Sequence, residues 1–290
     1  MKIKLDDKIN FKKLHPIESF GLLKVSLSGI RVERVEDRVN PGVPFPHKHD
    51  FYQLMFIEEG RGWHKIDFKK FIIQKDQFFI MKPGQIHSWQ LEKGTKGYVI
   101  EFNTESLHSE TRSNFSLLNT ISSAPDNLNF NNKRESAEIL TIISLMFKEF
   151  HDQEYYYDMN LRNYLSIILV MLSRVVKTKT NQKTNNIIET FKTLVEENFM
   201  KEHGIQFYAS IIGITSKALA MQISRATGKS PRTILHERII LEAKRLLVFS
   251  QQSISEIGYR LGFDDTNYFT RFFKIHVKTT PAMFRKKNLK

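Results

Sequence analysis

The segment Ser253 to Lys274, reading SISEIGYRLGFDDTNYFTRFFK, narrows the possible folds more than any other part of the chain. Its pattern fits two short helices that meet at a glycine corner. Ser253 and Glu256 stand three apart, the spacing of a capping box in which each side chain satisfies the other's backbone amide. Ile254, Ile257 and Leu261 then recur at helical spacing. Gly258 leaves a bare patch for a crossing helix, and Gly262 supplies the left-handed turn that stops the helix before Phe263 enters the core. A second helix is predicted from Asp265 or Thr266. Its apolar face is Phe269, Phe272 and Phe273, which leaves Asn267, Thr270, Arg271 and Lys274 on the opposite side. That outward stripe has nucleic-acid chemistry: asparagine pairs bidentately with adenine, arginine with guanine, and lysine neutralises phosphate. The pair of helices reads as a helix-turn-helix.

An earlier copy of the same pattern lies about 50 residues upstream. Gly213 superposes on Gly262 and Ile214 on Phe263. With one extra residue in the second corner, Leu219 falls on Phe269, Ile223 on Phe273 and Pro231 on Pro281. Ala209 falls on Gly258, which marks a position that needs a small side chain. The outward residues differ, with Lys217, Ala220 and Met221 where the second copy has Asn267, Thr270 and Arg271. Between the copies, Ser230 and Pro231 make a helix start, and the helix is predicted to reach Phe249 with Leu235, Ile239, Leu246 and Leu247 inward. Such a helix spans about 28 Å. Successive major grooves on one face of B-DNA lie about 34 Å apart, so a stiff spacer of this length would seat both recognition helices. A single chain would then read an asymmetric site.

Charge agrees with a polyanionic partner. The net charge is +13, and residues 187–290 hold 17 lysines and arginines against 9 aspartates and glutamates. There is no cysteine, which excludes disulfides and thiolate metal sites. The opening MKIKLDDKINFKKL lacks the apolar core of a signal peptide, and no unbroken run of about 18 apolar residues occurs, so a cytoplasmic protein with no membrane partner is expected.

From about Leu22 to Phe102 short apolar runs are broken by glycine and proline, which predicts an antiparallel β-barrel or jelly roll. His47 and His49 are two apart and share one face of a strand. With Gln53, Gly60, Pro83, Gly84 and His87 they resemble the two cupin motifs. In metal-binding cupins the matching positions are three histidines and a glutamate. Here Gln53 replaces the glutamate, a poorer ligand for a hard cation, so no metal and no cofactor is assigned. The histidines line a pocket or hydrogen-bond the barrel wall. Trp63, Trp89, Tyr52 and Phe102 are candidates for the same cavity, or for plain core. The expected ligand set is His47, His49, Tyr52, Gln53, His87 and Trp89.

Residues Glu105 to Asn132, rich in Ser, Asn and Thr, read as a connecting segment. Two amphipathic helices are predicted over Lys133 to His151 and Asp158 to Lys177, with apolar surface for packing on the barrel and for self-association. The lysine-dotted stretch Thr178 to Asn186 is the best linker. The expected domains are therefore a cupin-like sensing domain at 1–132, a helical dimerisation hairpin at 133–177, a linker at 178–186, and an all-α double helix-turn-helix domain at 187–290. The fold class is α+β.

The segment from about Ile187 to Lys286 also resembles the AraC/XylS transcription regulators, most specifically in Arg238, Ala243, Leu246, Leu247, Gly262, Phe263, Tyr268, Phe269, Arg271, Phe273, Lys274, Pro281 and Arg285. The resemblance implies base contacts from Lys217, Ala220, Met221, Thr266, Asn267 and Arg271. It implies a sequence-specific regulator of promoter DNA, controlled by a small-molecule effector in the cupin-like domain, homodimeric, and touching RNA polymerase if it activates. It does not imply an enzyme. The alternative is a metal-dependent cupin enzyme with a nucleic-acid-binding tail, and a third reading makes the barrel an assembly module without ligand. Two residues depart from the family pattern. Gly258 replaces an alanine and is expected to loosen the second unit. Lys278 replaces a glycine that the first copy keeps as Gly228, which adds a cation near the DNA backbone or else forces a side chain through a tight turn.

Overall fold

The runs YQLMFI, QFFIM and GYVIEF are apolar at both parities, which a strand accepts only when both of its faces are covered. A computed structural model of the chain describes residues 15–16, 29–38, 46–107, 117–118, 120–130, 132–180 and 186–288. It divides into two compact units, one within 15–181 and the other within 182–290.

Among the described residues the first unit contains ten strands: β1 His15–Pro16, β2 Ile30–Arg34, β3 His47–Lys48, β4 Tyr52–Glu59, β5 Gly62–Ile66, β6 Lys69–Ile72, β7 Gln77–Met81, β8 Ile86–Leu91, β9 Lys96–Phe102 and β10 Asn127–Asn129. They form two five-stranded sheets, ordered β1-β3-β8-β5-β6 and β10-β7-β4-β9-β2. Two helices follow, α1 (Lys133–Asp152) and α2 (Tyr157–Thr180). The second sheet is the one covered on both sides. Tyr52, Leu54 and Phe56 of β4 join Ile139, Ile143 and Met146 of α1 and Leu161, Leu165, Ile168 and Leu169 of α2 in one core. Met55 and Ile57, at the other parity, join Ile66, Phe79, Trp89 and Val99 in a second core between the sheets. Burial along β4 is therefore continuous from Tyr52 to Ile57. α2 is long and apolar enough to cross a membrane, but its Leu161, Leu165, Ile168, Leu169 and Leu172 are buried in the first core.

Two sequence expectations are corrected here. The segment after Phe102 is more than a connector: β10 pairs antiparallel with β7, and Leu118, Ile121, Ala124 and Leu128 are core residues. A three-residue strand flanked by asparagines is too short to show a period. The linker is also shorter than expected, because α2 continues to Thr180 and the next helix begins at Asn186. The remaining linker residues, 181–185, lie outside the described residues.

The second unit contains α3 (Asn186–Asn198), α4 (Ile205–Ile212), α5 (Ser216–Thr227), α6 (Pro231–Phe249), α7 (Ile254–Arg260), α8 (Thr266–Val277) and α9 (Pro281–Asn288). The predicted capping box of Ser253 and Glu256 is present in full. Both corners close identically: Ile214 N–H donates to Ala209 O at 3.0 Å, and Phe263 N–H donates to Gly258 O at 3.0 Å. Gly213 and Gly262 take φ of 79° and 80°. Gly262 has a further role, since a Cβ there would lie 2.4 Å from the Met200 carbonyl oxygen, whereas one at Gly213 would meet nothing.

Helix α6 runs 19 residues from the Ser230 cap, with Pro231 in its first turn, and contacts α3, α5, α7, α8 and α9. Leu235, Ile239, Leu246 and Leu247 are buried as predicted. The Arg238 guanidinium lies 3.8 Å over the Phe199 ring and bonds Glu196 and Glu242, and Arg245 bonds Glu242 as well. Burial resists ionisation of Glu242, but the two guanidiniums outweigh it and lower its pKa. Arg285 of α9 donates to Leu247 O at 2.9 Å and to Gln252 O at 2.6 Å, closing the end of α6.

The bare backbone at Gly258 is filled by the ring of Phe269. An alanine Cβ there would stand 3.3 Å from both Cβ and Cδ1 of Phe269. That ring is hemmed in by Phe263 at 5.3 Å and Phe273 at 6.1 Å between centroids. The first copy has the buried pair Ala209 and Leu219 instead, a larger residue against a smaller one. The glycine makes room for the phenylalanine. Gly258→Ala and Phe269→Leu should therefore be coupled: in a denaturant double-mutant cycle the pair is expected to be more stable than the sum of the single changes by on the order of 1 kcal/mol. Simple additivity would contradict the fit.

Candidate ligand site and nucleic-acid interface

Two cross-strand pairs build the interior of the barrel. His47 of β3 lies opposite His87 of β8, and Gln53 of β4 lies opposite Glu101 of β9. The rings of His47 and His87 are 4.3 Å apart, and His49 is 4.8 Å from His87. His49 stacks on Phe51 at 4.3 Å, and its Nδ1 lies 2.8 Å from the Phe51 carbonyl. Gln53 donates to Glu101 through Nε2 at 2.7 Å, and Arg38 donates to the same Glu101 oxygen at 2.6 Å. Trp89 forms part of the wall, 5.4 Å from His87, with its indole N–H on Arg38 O.

Five of the six expected ligand residues come together: His47, His49, Gln53, His87 and Trp89. Tyr52 does not join them. Adjacent to Gln53 on β4, it faces the helical core, stacked on Phe102 with its hydroxyl 2.5 Å from Ser122 Oγ. Phe102 lies in that same core, and Trp63 lies on the barrel's outer surface, with Lys70 over its ring and its N–H on Gln90. Three residues of the site escape the sequence reading. His64 of β5 is fully buried with Nε2 3.2 Å from His87 Nδ1, and its shared parity with buried Ile66 was the available signal. Glu101 had the same kind of signal on β9. Arg38 lies in a short 3-10 turn and offered none.

Burial governs the electrostatics. It lowers the pKa of His49 and takes that of His87 well below the ordinary value, and in His64 burial together with His47 and His49 takes it to about 3. These rings are neutral at pH 7. Burial also opposes ionisation of Glu101, yet Arg38 and the Gln53 amide hold its pKa below normal. A carbonyl only accepts, so His49 Nδ1 carries the proton and Nε2 a lone pair. His49 Nε2, Gln53 Oε1 and Glu101 Oε2 are buried acceptors without a hydrogen-bond donor. Among the described residues no three His, Asp or Glu side chains are arranged to hold a metal ion.

In the second unit α5 and α8 carry the other expected site. Phe269, Phe272 and Phe273 are buried while Asn267, Arg271 and Lys274 are exposed, as the helical spacing predicts. Thr266 is half-buried, with Oγ1 2.7 Å from Ser255 Oγ. On α5, Lys217 and Met221 are exposed and Ala220 is half-buried. Tyr268, absent from the expected site, is 59% exposed beside Asn267. The side chain of Asp265 caps α8 by accepting from the amides of Asn267 and Tyr268.

The neutral histidines make the barrel sensitive to acid. Between pH 6.5 and about 3 the unfolded chain binds a proton at His64 that the folded chain excludes, so stability falls as pH is lowered through that window. Both tryptophans belong to this unit, so their fluorescence follows its unfolding in urea. His64→Asn is expected to flatten the pH slope between 6.5 and 4 by up to about 1.4 kcal/mol per pH unit. An unchanged slope would mean that the ring protonates in place.

Comparison with known proteins places both halves. Residues 32–158 match the family model described as an AraC-like ligand binding domain, and residues 208–287 match that of a helix-turn-helix domain. The HTH-type transcriptional activator RhaS of Escherichia coli O81 (strain ED1a) is 22% identical, over 94% of this chain and 96% of RhaS. Among solved structures, ToxT of Vibrio cholerae in a P21 crystal form aligns with a TM-score of 0.42 at 14% identity, over 88% of this chain and 97% of that one. The C-terminal domain of AraT from Geobacillus stearothermophilus aligns with a TM-score of 0.35 at 21% identity, over 37% of this chain and 88% of that one. With a ligand-binding domain of the AraC type followed by the helix-turn-helix domain, this chain belongs to the AraC/XylS family of DNA-binding transcription regulators.

Proposed function

We propose that the protein reads a two-part promoter site with α5 and α8 in successive major grooves, and that a small effector held in the barrel controls it. The observation that carries the DNA half is the division of α8. One face is three buried phenylalanines and the other presents Asn267, Arg271 and Lys274 to solvent. With α6 as spacer, Lys217, Ala220 and Met221 face one groove and Asn267 and Arg271 the other. Thr266, bonded to Ser255, has the lesser part in base reading. The domains act as a sensing barrel at 1–132, a hairpin at 133–180 that pairs two copies, a linker at 181–185 and a DNA reader from 186 onward. Exposed Leu145, Met159 and Ile167 supply apolar surface for the pairing. The chain works in the cytoplasm, catalyses no reaction, and meets RNA polymerase if it activates.

The effector half follows from the acceptors. His49 Nε2, Gln53 Oε1 and Glu101 Oε2 each lack a donor, and leaving a buried acceptor unpaired costs about 1–3 kcal/mol. An effector that brings several hydrogen-bond donors, such as a polyhydroxylated or amino-bearing metabolite, relieves that cost. Anionic effectors fit less well, because Arg38 is already matched by Glu101 and Glu33. His47, His87 and Trp89 complete the wall.

Two mutations separate the roles on α8. Arg271→Ala is expected to lose about 1–3 kcal/mol at one base position and to relax specificity there, whereas Lys274→Ala weakens all sequences alike. Competition binding of the full chain to its own upstream DNA and to permuted sites measures both. Identical, sequence-independent losses would sink the assignment. For the effector, a thermal-shift panel should show stabilisation by donor-rich compounds that Gln53→Ala abolishes. Stabilisation confined to carboxylates would refute the acceptor argument.

A further inference from the structure

The turn after α8 holds a side chain where glycine fits best. Lys278 caps α8 with φ 63°, its N–H on Lys274 O at 2.9 Å. The equivalent residue after α5 is Gly228, at φ 70° and with the same hydrogen bond, to Ser224 O. A non-glycine residue in this left-handed region is disfavoured, because its Cβ crowds the neighbouring carbonyl oxygen. Strain kept at one of two matching turns calls for a compensating use.

The position of Lys278 supplies one. Counted from Asn267, the exposed residues Arg271, Lys274 and Lys278 fall at i+4, i+7 and i+11, one stripe along α8. Lys278 is exposed and makes none of the ion pairs found among the described residues. At the turn after α5 the nearest cation, Lys229, is bound instead by Glu237 at 2.7 Å. The two turns therefore differ in both backbone strain and available charge. We infer that Lys278 is a DNA phosphate contact that extends the α8 stripe by a further turn and makes the second helix-turn-helix the anchoring half of the reader.

This rests on the DNA-binding reading and separates from it experimentally. The full chain is titrated onto its own upstream DNA over a salt series, alongside thermal unfolding, for wild type, Lys278→Gly, Lys278→Gln and Lys278→Arg. Lys278→Gly is expected to melt higher, on the order of 5 °C for a domain of this size, yet to bind about fivefold more weakly at low salt. Its salt slope should fall by about 0.9. Lys278→Gln should lose the same slope without the gain in melting temperature, and Lys278→Arg should keep the slope. An unchanged slope in the glycine and glutamine variants overturns the proposal. So does a loss of binding accompanied by a loss of stability, which would make Lys278 a structural residue. Failure of the wild type to prefer its own upstream DNA over permuted sequence would remove the DNA reading itself.

Discussion

The second unit depends on the burial of one helix. α6 packs against α3, α5, α7, α8 and α9, and its two ends are fixed by different means: Ser230 and Pro231 start it, and Arg285 returns from α9 to bond the Leu247 carbonyl in its last turn. Between the ends, Glu242 is shared by Arg238 and Arg245, the latter buried. Removing either arginine would leave a carboxylate with less than its full complement, a costly state in a low-dielectric interior. The recognition helices inherit their spacing from this spine. A flexible connection would let each unit bind alone, while a rigid one makes the second contact nearly intramolecular once the first is made.

The repeat explains how the two units came to differ without losing their scaffold. The corners share φ values and hydrogen bonds, and the small-residue position is filled according to the size of its counterpart, Ala209 with Leu219 and Gly258 with Phe269. Only the second corner is pressed against another segment. Gly262 meets the Met200 carbonyl, so this glycine is held by contact as well as by conformation. Outward positions carry no such constraint, which leaves Lys217 and Met221 free to differ from Asn267 and Arg271.

Most of the helical unit was legible in the sequence because its signals are local. Capping box, glycine corners, the Ser-Pro start and the phenylalanine stripe each lie within one or two turns, and all of them formed as spaced. The barrel was legible only in outline. Histidines two apart declare a shared face, but the neighbours that decide their chemistry come from distant strands: Glu101 pairs with Gln53 across 48 residues, and His64 with His87 across 23. Tyr52 was misplaced because a doubly covered strand hides its parity. β10 escaped for want of length, and Arg38 because a short 3-10 turn has no apolar period. The fit of Gly258 to Phe269 was hidden for a different reason, since a family pattern records a habit and not the size of the ring opposite.

The double cover of the second sheet has a mechanical consequence. Gln53 and Tyr52 share one stretch of β4 backbone, yet Gln53 points into the barrel among the histidines while Tyr52 points out onto the helices. The strand is a common wall between two rooms. Any ligand that shifts this wall moves the furniture on both sides at once, because interiors packed at crystal-like density have no slack to absorb a displacement. A signal from barrel to hairpin thus requires no relay of intermediate residues, only the thickness of one strand.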